Sequence, residues 1–251
     1  DYDKKVAYIS ESTVKEAVGK VPKNPVLAAR NPKNDVHIGE KTFFIPSSLG
    51  AFVYDLNTGE RRKANRKDSY EMALIADYLP NYDVCQVMIM PCDVSEKVAD
   101  HYRLEAGFTY SSKHVSHLIA PGTTPEGVRE QVRIAITIVG GEDEFRKRPI
   151  FSMCQEPISP LQWDENGIQV LIEYVKNGVP SILYNIPSAG GTAPVTLAGH
   201  MVVLNAEILS GIVLVEAVDP GAITLYGTSA SILDLKTGEL CLGAPERGLI
   251  D

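Results

Sequence analysis

From about residue 65 onward, short apolar runs alternate with longer stretches in which apolar positions recur every three or four residues. Val84–Met90, His114–Ala120, Pro149–Cys154, Ser181–Asn185 and Ala222–Tyr226 read as strands, and the continuous apolar run Val84–Met90 suits one covered on both faces. Between them the helical spacing predicts helices over Asp68–Tyr78, Ser95–Phe108, Pro125–Ile138, Asp164–Val175 and Thr196–Val218, with another starting near Pro245. Asp68 is placed near the N-cap of the first. Strands alternating with helices of this length imply parallel βαβ units.

The first third has a different texture. Val14 and Val18 lie four apart and predict a short helix ending before Pro22. Three β-prone runs follow, Pro25–Ala29, Lys41–Ile45 and Ala51–Asp55, broken by Asn31-Pro32, Gly39-Glu40 and Leu56-Asn57-Thr58-Gly59. Residues 1–64 therefore read as β-hairpin elements packed on or beside the main domain, and residues 65–251 as a partial βα barrel. A doubly wound dinucleotide fold is disfavoured, because no G-x-G-x-x-G follows a strand. The expected fold is α/β, a TIM-type (β/α)8 barrel whose C-terminal strands are missing from this chain. Both ends look cut: the first residue is Asp1, not Met, and Asp251 falls inside what reads as a new helix.

Composition narrows the class. With 44% hydrophobic and 22% charged residues the 251-residue chain is globular. A net charge of −8 argues against nucleic acid, which needs a basic face to neutralise phosphates. The basic run Arg61, Arg62, Lys63, Arg66, Lys67 reads as a solvated edge. Cys85, Cys92, Cys154 and Cys241 are too widely spaced for a metal or disulfide framework, so reduced thiols in a cytoplasmic protein are expected, with Cys85 and Cys154 in the core. No run is read as approaching the ~18 to 20 apolar residues of a membrane span, so no membrane partner is expected. The chain is expected to form a homo-oligomer.

In parallel α/β folds the chemistry lies at the carboxyl ends of the strands. Here those ends are Met90-Pro91-Cys92-Asp93, Ala120-Pro121-Gly122, Gln155-Glu156-Pro157, Tyr184-Asn185-Ile186-Pro187 and Tyr226-Gly227-Thr228-Ser229. The richest is the loop Asn185–Thr196. Gly190 and Gly191 permit close backbone approach to a ligand, Thr192 is a possible N-cap, and the helix that follows offers free N–H groups. The alternative is a purely structural strand-to-helix turn. Glu156 is the only acid directly after a strand and before a proline, suited to hold a cation or move a proton, or to sit in an ion pair at the rim. Asp93 is expected to cap the helix after it. His114 and His117 are three apart on a strand and so face opposite ways, which rules them out as a metal pair. Nothing is expected of His37, His101 or His200. Ser188 has no G-x-S-x-G context. Tyr54, Tyr184 and Tyr226, with Phe52 close by, lie near strand ends, and several converging on one rim would suit a quaternary ammonium.

These residues carry a resemblance. Gly190-Gly191-Thr192-Ala193-Pro194-Val195-Thr196-Leu197-Ala198-Gly199, Asn205–Leu214, Asp219-Pro220-Gly221-Ala222 and Asp234-Leu235-Lys236-Thr237-Gly238 followed by Gly243-Ala244-Pro245-Glu246 resemble the trimethylamine methyltransferase family. So do Ala29-Arg30-Asn31-Pro32, Tyr54–Arg62 and Pro157–Leu161 upstream. The resemblance spans nearly the whole chain in one order. It implies a TIM-type barrel that moves a methyl group from a methylated amine to the Co(I) centre of a corrinoid carried by a separate cognate protein, with no cofactor or metal bound by this chain. Trimethylamine members use pyrrolysine, at a position that would lie beyond Asp251; a wider set acts on quaternary amines such as glycine betaine without it. The more populous branch makes glycine betaine the expected substrate, with trimethylamine the alternative. A quaternary ammonium leaves as a neutral amine, so no general acid is needed and the protein's work is positioning. On that reading Tyr184 and Tyr226 face the ammonium, and Glu156 and Asn185 form a polar wall. Ser188 lies beside them, and the backbone N–H groups of Gly190, Gly191 and Thr192 hold a substrate carboxylate. Two rivals stand beside it. A lyase or aldolase would need a Schiff-base lysine or metal carboxylates at the strand ends, where lysine is absent. A non-catalytic binder of methylated amines or corrinoid would share the pocket.

Overall fold

Caps and turn residues set where the elements begin and end. In the computed structural model, which describes residues 1, 3–46 and 49–250, helix α1 (Glu11–Lys20) starts at Ser10, whose side chain accepts from Thr13 N. Asp251, the last residue of the expected barrel domain, lies outside the described residues. Two antiparallel pairs follow, β1 (Val26–Leu27) with β2 (Val36–His37) and β3 (Phe52–Tyr54) with β4 (Arg61–Lys63). The run Lys41–Ile45 forms no strand. The basic run is half a hairpin: Arg61 lies over the Phe52 ring and Arg62 grips Asp68 with two bonds of 2.7 and 2.8 Å. Helix α2 (Arg66–Tyr78) is capped by Asn65, three residues before the expected Asp68, which supplies the reciprocal half of a capping box. Asp93 caps no helix after it; its carboxylate accepts from Arg66 N, at the start of α2.

The βα alternation then proceeds as the pattern predicts: β5 (Val84–Gln86), α3 (Ala99–Tyr110), β6 (His114–Leu118), α4 (Pro125–Val139), the unpredicted α5 (Glu142–Lys147), β7 (Phe151–Gln155), α6 (Glu165–Lys176), β8 (Ser181–Asn185), the short β9 (Ser188–Ala189), α7 (Leu197–Val218), β10 (Thr224–Thr228), β11 (Ser231–Ile232) and α8 (Arg247–Ile250). Five strands form a sheet in the order β10-β8-β7-β6-β5. The parallel register is Val84↔His114 through Gln86↔Ser116, then Val115↔Phe151 through Leu118↔Cys154. Each new strand is added on the same edge, so the order has no reversal. Among the described residues the sheet is open and no closed barrel forms.

The chain divides into two compact units. In the unit of residues 23–154 and 169–181, Ala73, Ala76, Cys85, Val87 and Ala106 pack α2 and α3 on β5. A Cβ on Gly107 would fall 2.7 Å from Val115 Cγ1, so glycine is what lets α3 lie this close to β6. Arg103 and Asp100, both fully buried on α3, pair at 2.8 Å. Arg103 also donates to Val87 O and Leu118 O, and Asp100 accepts from Ala120 N and Thr123 Oγ1. As expected, His114 and His117 face opposite ways. His114 bonds Ala28 O and Ser152 Oγ, whereas His117 stacks on Phe151 and meets the Tyr174 hydroxyl. Cys85 and Cys154 are buried, and none of the four cysteines is in a disulfide.

The other unit comprises residues 1–22, 155–168 and 182–251, with α1 packed on α7. Here the hydropathy expectation needs correction. Helix α7 has 22 residues and a window of mean hydropathy 2.0, so by length and composition it is long and apolar enough to cross a membrane. The sequence pattern hid this because His200, Asn205, Glu207 and Glu216 interrupt the apolar run. His200, Glu207 and Glu216 are buried in the fold.

Burial pushes the pKa of both His114 and His117 from 6.5 down to about 4. The unfolded chain therefore binds more protons than the folded one between those values, and stability is lost as pH falls from 6.5 towards 4. Each group contributes a slope of at most about 1.4 kcal/mol per pH unit. Denaturant unfolding at about pH 7 and about pH 5 should show the loss, and His114→Gln should make it smaller. An unchanged pH slope in the variant would remove His114 from this account.

Candidate functional site

All eight sequence-predicted site residues lie in the second unit, the one holding residues 155–168 and 182–251. Side-chain alternation separates them. On β8, Leu183 lies against α7, where a Cβ on Gly211 would come within 3.0 Å of its Cδ1. Asn185, two residues on, points the same way and donates to Leu204 O at 3.0 Å and Glu207 Oε2 at 2.7 Å. Tyr184 consequently faces the other side, away from α7. On β10 the Tyr226 hydroxyl meets Asn205 Oδ1 of α7 at 3.3 Å, and Gly227 is the residue beside Tyr184, with its ideal Cβ 3.6 Å from Tyr184 Cδ2. Tyr184 and Tyr226 thus occupy opposite faces of the sheet and do not form one cage. Tyr226 instead lines a cleft of about 590 Å³ on the α7 side, with Met201, Val202, Asn205 and Thr228. Phe52 and Tyr54 are exposed on the hairpin of the first unit.

The glycine loop is also built differently from the expectation. Gly190 N donates to Ala193 O, and Gly191 N and Ala193 N both donate to Ser188 O. Thr192 caps no helix: its Oγ1 accepts from Ser188 N, while Thr196 caps α7. The N–H groups of Gly190 and Gly191 are thus spent inside the loop and offer no cradle for a carboxylate. The glycines answer to packing. Gly190 has φ +86°, and its Cβ would lie 2.9 Å from Leu235 Cδ2, with Leu233 Cδ2 3.2 Å from that of Gly191. Ser188 pairs with β11, its Oγ 2.8 Å from Ser231 Oγ. His200, from which nothing was expected, is buried with Nε2 at 3.1 Å from Pro187 O and so fixes the start of this loop.

Glu156 is the residue left open to a ligand. Gln155, the last residue of β7, lies against Gly167 of α6, and Glu156 follows it directly, exposed. Among the described residues no cation pairs with it. Its carboxyl reaches solvent, yet the surrounding protein strips enough hydration to raise its pKa. An unpaired, partly desolvated carboxylate is an attractive place for a cation.

A residue the sequence reading passed over holds these pieces together. Glu207 of α7 is 1% exposed. Its Oε1 accepts from Leu161 N at 2.9 Å and its Oε2 from Ser159 Oγ at 2.9 Å, in addition to Asn185. The turn it holds is closed by Ile158 N to Gln162 O and Gln162 N to Ile158 O, and contains a cis Ser159–Pro160 peptide. Trp163 follows, donating to Ser210 Oγ, one helical turn beyond Glu207. The available signal was an acid in the middle of the most apolar helix, which must find partners if it is buried.

Gly190→Ala should lower stability by about 1 to 2 kcal/mol, from backbone strain and contact with Leu235. Thermal or denaturant unfolding measures this; no loss would return the glycine to a ligand-facing role.

Comparison with known proteins matches the trimethylamine methyltransferase (MTTB) family model over residues 1–251. Among curated relatives, the trimethylamine methyltransferase MttB of Desulfitobacterium hafniense is 35% identical over 252 residues, covering 100% of this chain and 50% of the relative. The glycine betaine methyltransferase of Desulfitobacterium hafniense strain Y51 is 30% identical, covering 98% of this chain and 51% of its own length. The trimethylamine methyltransferase MttB of Methanosarcina barkeri is 34% identical, with 98% and 50% covered. The chain spans about half the length of the curated relatives it matches.

Proposed function

Since the chain belongs to the trimethylamine methyltransferase family, we propose that it carries the amine-binding strand ends of an enzyme that passes a methyl group from a methylated amine to the corrinoid of a partner protein. We place glycine betaine first and trimethylamine second; the relatives include enzymes named for each. In the same proposal the open sheet is part of a TIM-type barrel with residues 1–64 as its extension. Strand addition on one edge without reversal is the order a barrel requires. A cytoplasmic location and a homo-oligomeric state belong to this proposal as well.

The observation that carries the reading is Glu156, an exposed carboxylate directly after β7 with no ion-pair partner among the described residues. Opposite charge draws the ammonium there, and the low local polarity that raises the pKa also strengthens the attraction. Tyr184, near the end of the neighbouring strand β8, offers a ring for the N-methyl groups. These groups suit a small cation rather than a macrocycle, which fits a corrinoid held by the partner. When bound, the corrinoid supplies a Co(I) nucleophile for the methyl group, and the C–N electron pair stays on the amine. This chain's residues have no proton to deliver for a quaternary substrate. Their task is to neutralise the ammonium, fix its orientation and keep water out.

In the full-length polypeptide, Glu156→Gln should weaken glycine betaine binding by about tenfold and Tyr184→Ala by about 1 kcal/mol. The raised pKa sets the sign with pH: the wild type should lose affinity on acidification at a higher pH than an ordinary glutamate titrates, and Glu156→Gln should not. Calorimetric titration across pH, beside an assay for demethylated amine with the reduced corrinoid protein, reads both. Equal affinity and pH profile in Glu156→Gln would remove the residue. Binding without any methyl loss, from either amine, would make the protein a binder only.

A further inference from the structure

We propose that Glu207 is a positioning residue for the amine site, setting the turn that carries Glu156 against the end of β8. The proposal rests on the strand-end reading above. Glu207 is buried on α7 with no basic partner among the described residues, and only hydrogen bonds compensate its lost hydration. Its three donors come from two segments. Ser159 Oγ and Leu161 N belong to the turn that begins at Glu156-Pro157, and Asn185 Nδ2 belongs to the residue after Tyr184. One carboxylate therefore fixes the spacing between the segment bearing the counter-charge and the segment bearing the aromatic ring.

Asn185 completes the clamp. Its Nδ2 is spent on Leu204 O and Glu207, which fixes the amide orientation, and its buried Oδ1 has no hydrogen-bond partner among the described residues. A general scaffold residue would not need two site-bearing segments as its partners. An amide at position 207 keeps the shape but presents an N–H₂ where three donors now converge, so at least one contact must turn from attraction to repulsion.

The test uses the full-length polypeptide with its corrinoid protein and glycine betaine. Glu207→Gln should raise KM by about tenfold or more and speed hydrogen exchange of the 156–163 segment by a similar factor, the scale of losing a charged hydrogen bond. Asn185→Asp should place two carboxylates together, giving activity that recovers as pH is lowered and the pair takes up one proton. The double variant Glu207→Gln with Asn185→Asp restores a carboxylate–amide pair in reverse but sets a carboxylate oxygen against Leu204 O, so its KM should lie between that of Asn185→Asp and wild type. Ser159→Ala removes one donor only, and serves if the others fold poorly; it should raise exchange in the same segment. A melting temperature that falls while KM and 156–163 exchange stay unchanged would overturn the proposal, as would a double variant worse than both single ones. If the wild type demethylates no amine, the functional reading fails, and the exchange data still decide whether Glu207 holds the turn.

Discussion

A strand that stops inside a covered sheet leaves its last backbone groups short of partners, and water is not there to supply them. This chain meets that constraint with buried charges on the helices that pack against the strand ends. In one unit the Arg103 guanidinium takes the carbonyls of Val87 and Leu118, near the ends of β5 and β6, while Asp100 takes the N–H of Ala120. In the other, Glu207 takes Leu161 N, in the turn after β7, and the side-chain amide of Asn185, the last residue of β8. A buried ion pair contributes little net stability after desolvation, and a buried lone carboxylate less. What such groups do contribute is direction, because each forms several bonds at fixed angles.

Seen this way, the strand-end surface is rigid where the loops are internally bonded and open where they are not. The Ser188–Ala193 turn closes on its own backbone and packs on Leu233 and Leu235. The turn after β7 is held from below by Glu207 and Ser210 through Ser159, Leu161 and Trp163. Glu156 stands at the edge of that held turn, its carboxylate without an ion-pair partner among the described residues. A counter-charge placed on a fixed frame loses little side-chain freedom when a cation arrives.

Much of the fold was legible because parallel βα units repeat two periods that differ sharply, and Ser10, Thr124 and Thr196 cap helices close to where the pattern begins them. The family was legible in the Gly190–Gly199 segment and its companions. What sequence could not show was facing and distant packing. Tyr184 and Tyr226 both follow the rule for strand ends, yet they sit on different strands, and only the register between strands reveals that they face apart. Gly190 and Gly191 have the conformational freedom a ligand loop needs, but Leu235, over forty residues later, occupies the space. Asp93 looked forward in sequence to a helix and bonds backward to Arg66. Each miss involves a partner distant in sequence.

The setting of Glu156 has a physical meaning within the proposed chemistry. A group that must stay anionic beside a permanent cation gains from partial desolvation, since the same loss of water that raises its pKa strengthens its pull on the ammonium. The opposing risk is that too much burial would protonate it and abolish the attraction. Glu156 lies between those limits: its pKa is raised, but its carboxyl still reaches solvent. Glu207, by contrast, is fully enclosed and holds its place by three hydrogen bonds, so two glutamates of the same unit take different tasks from their surroundings alone.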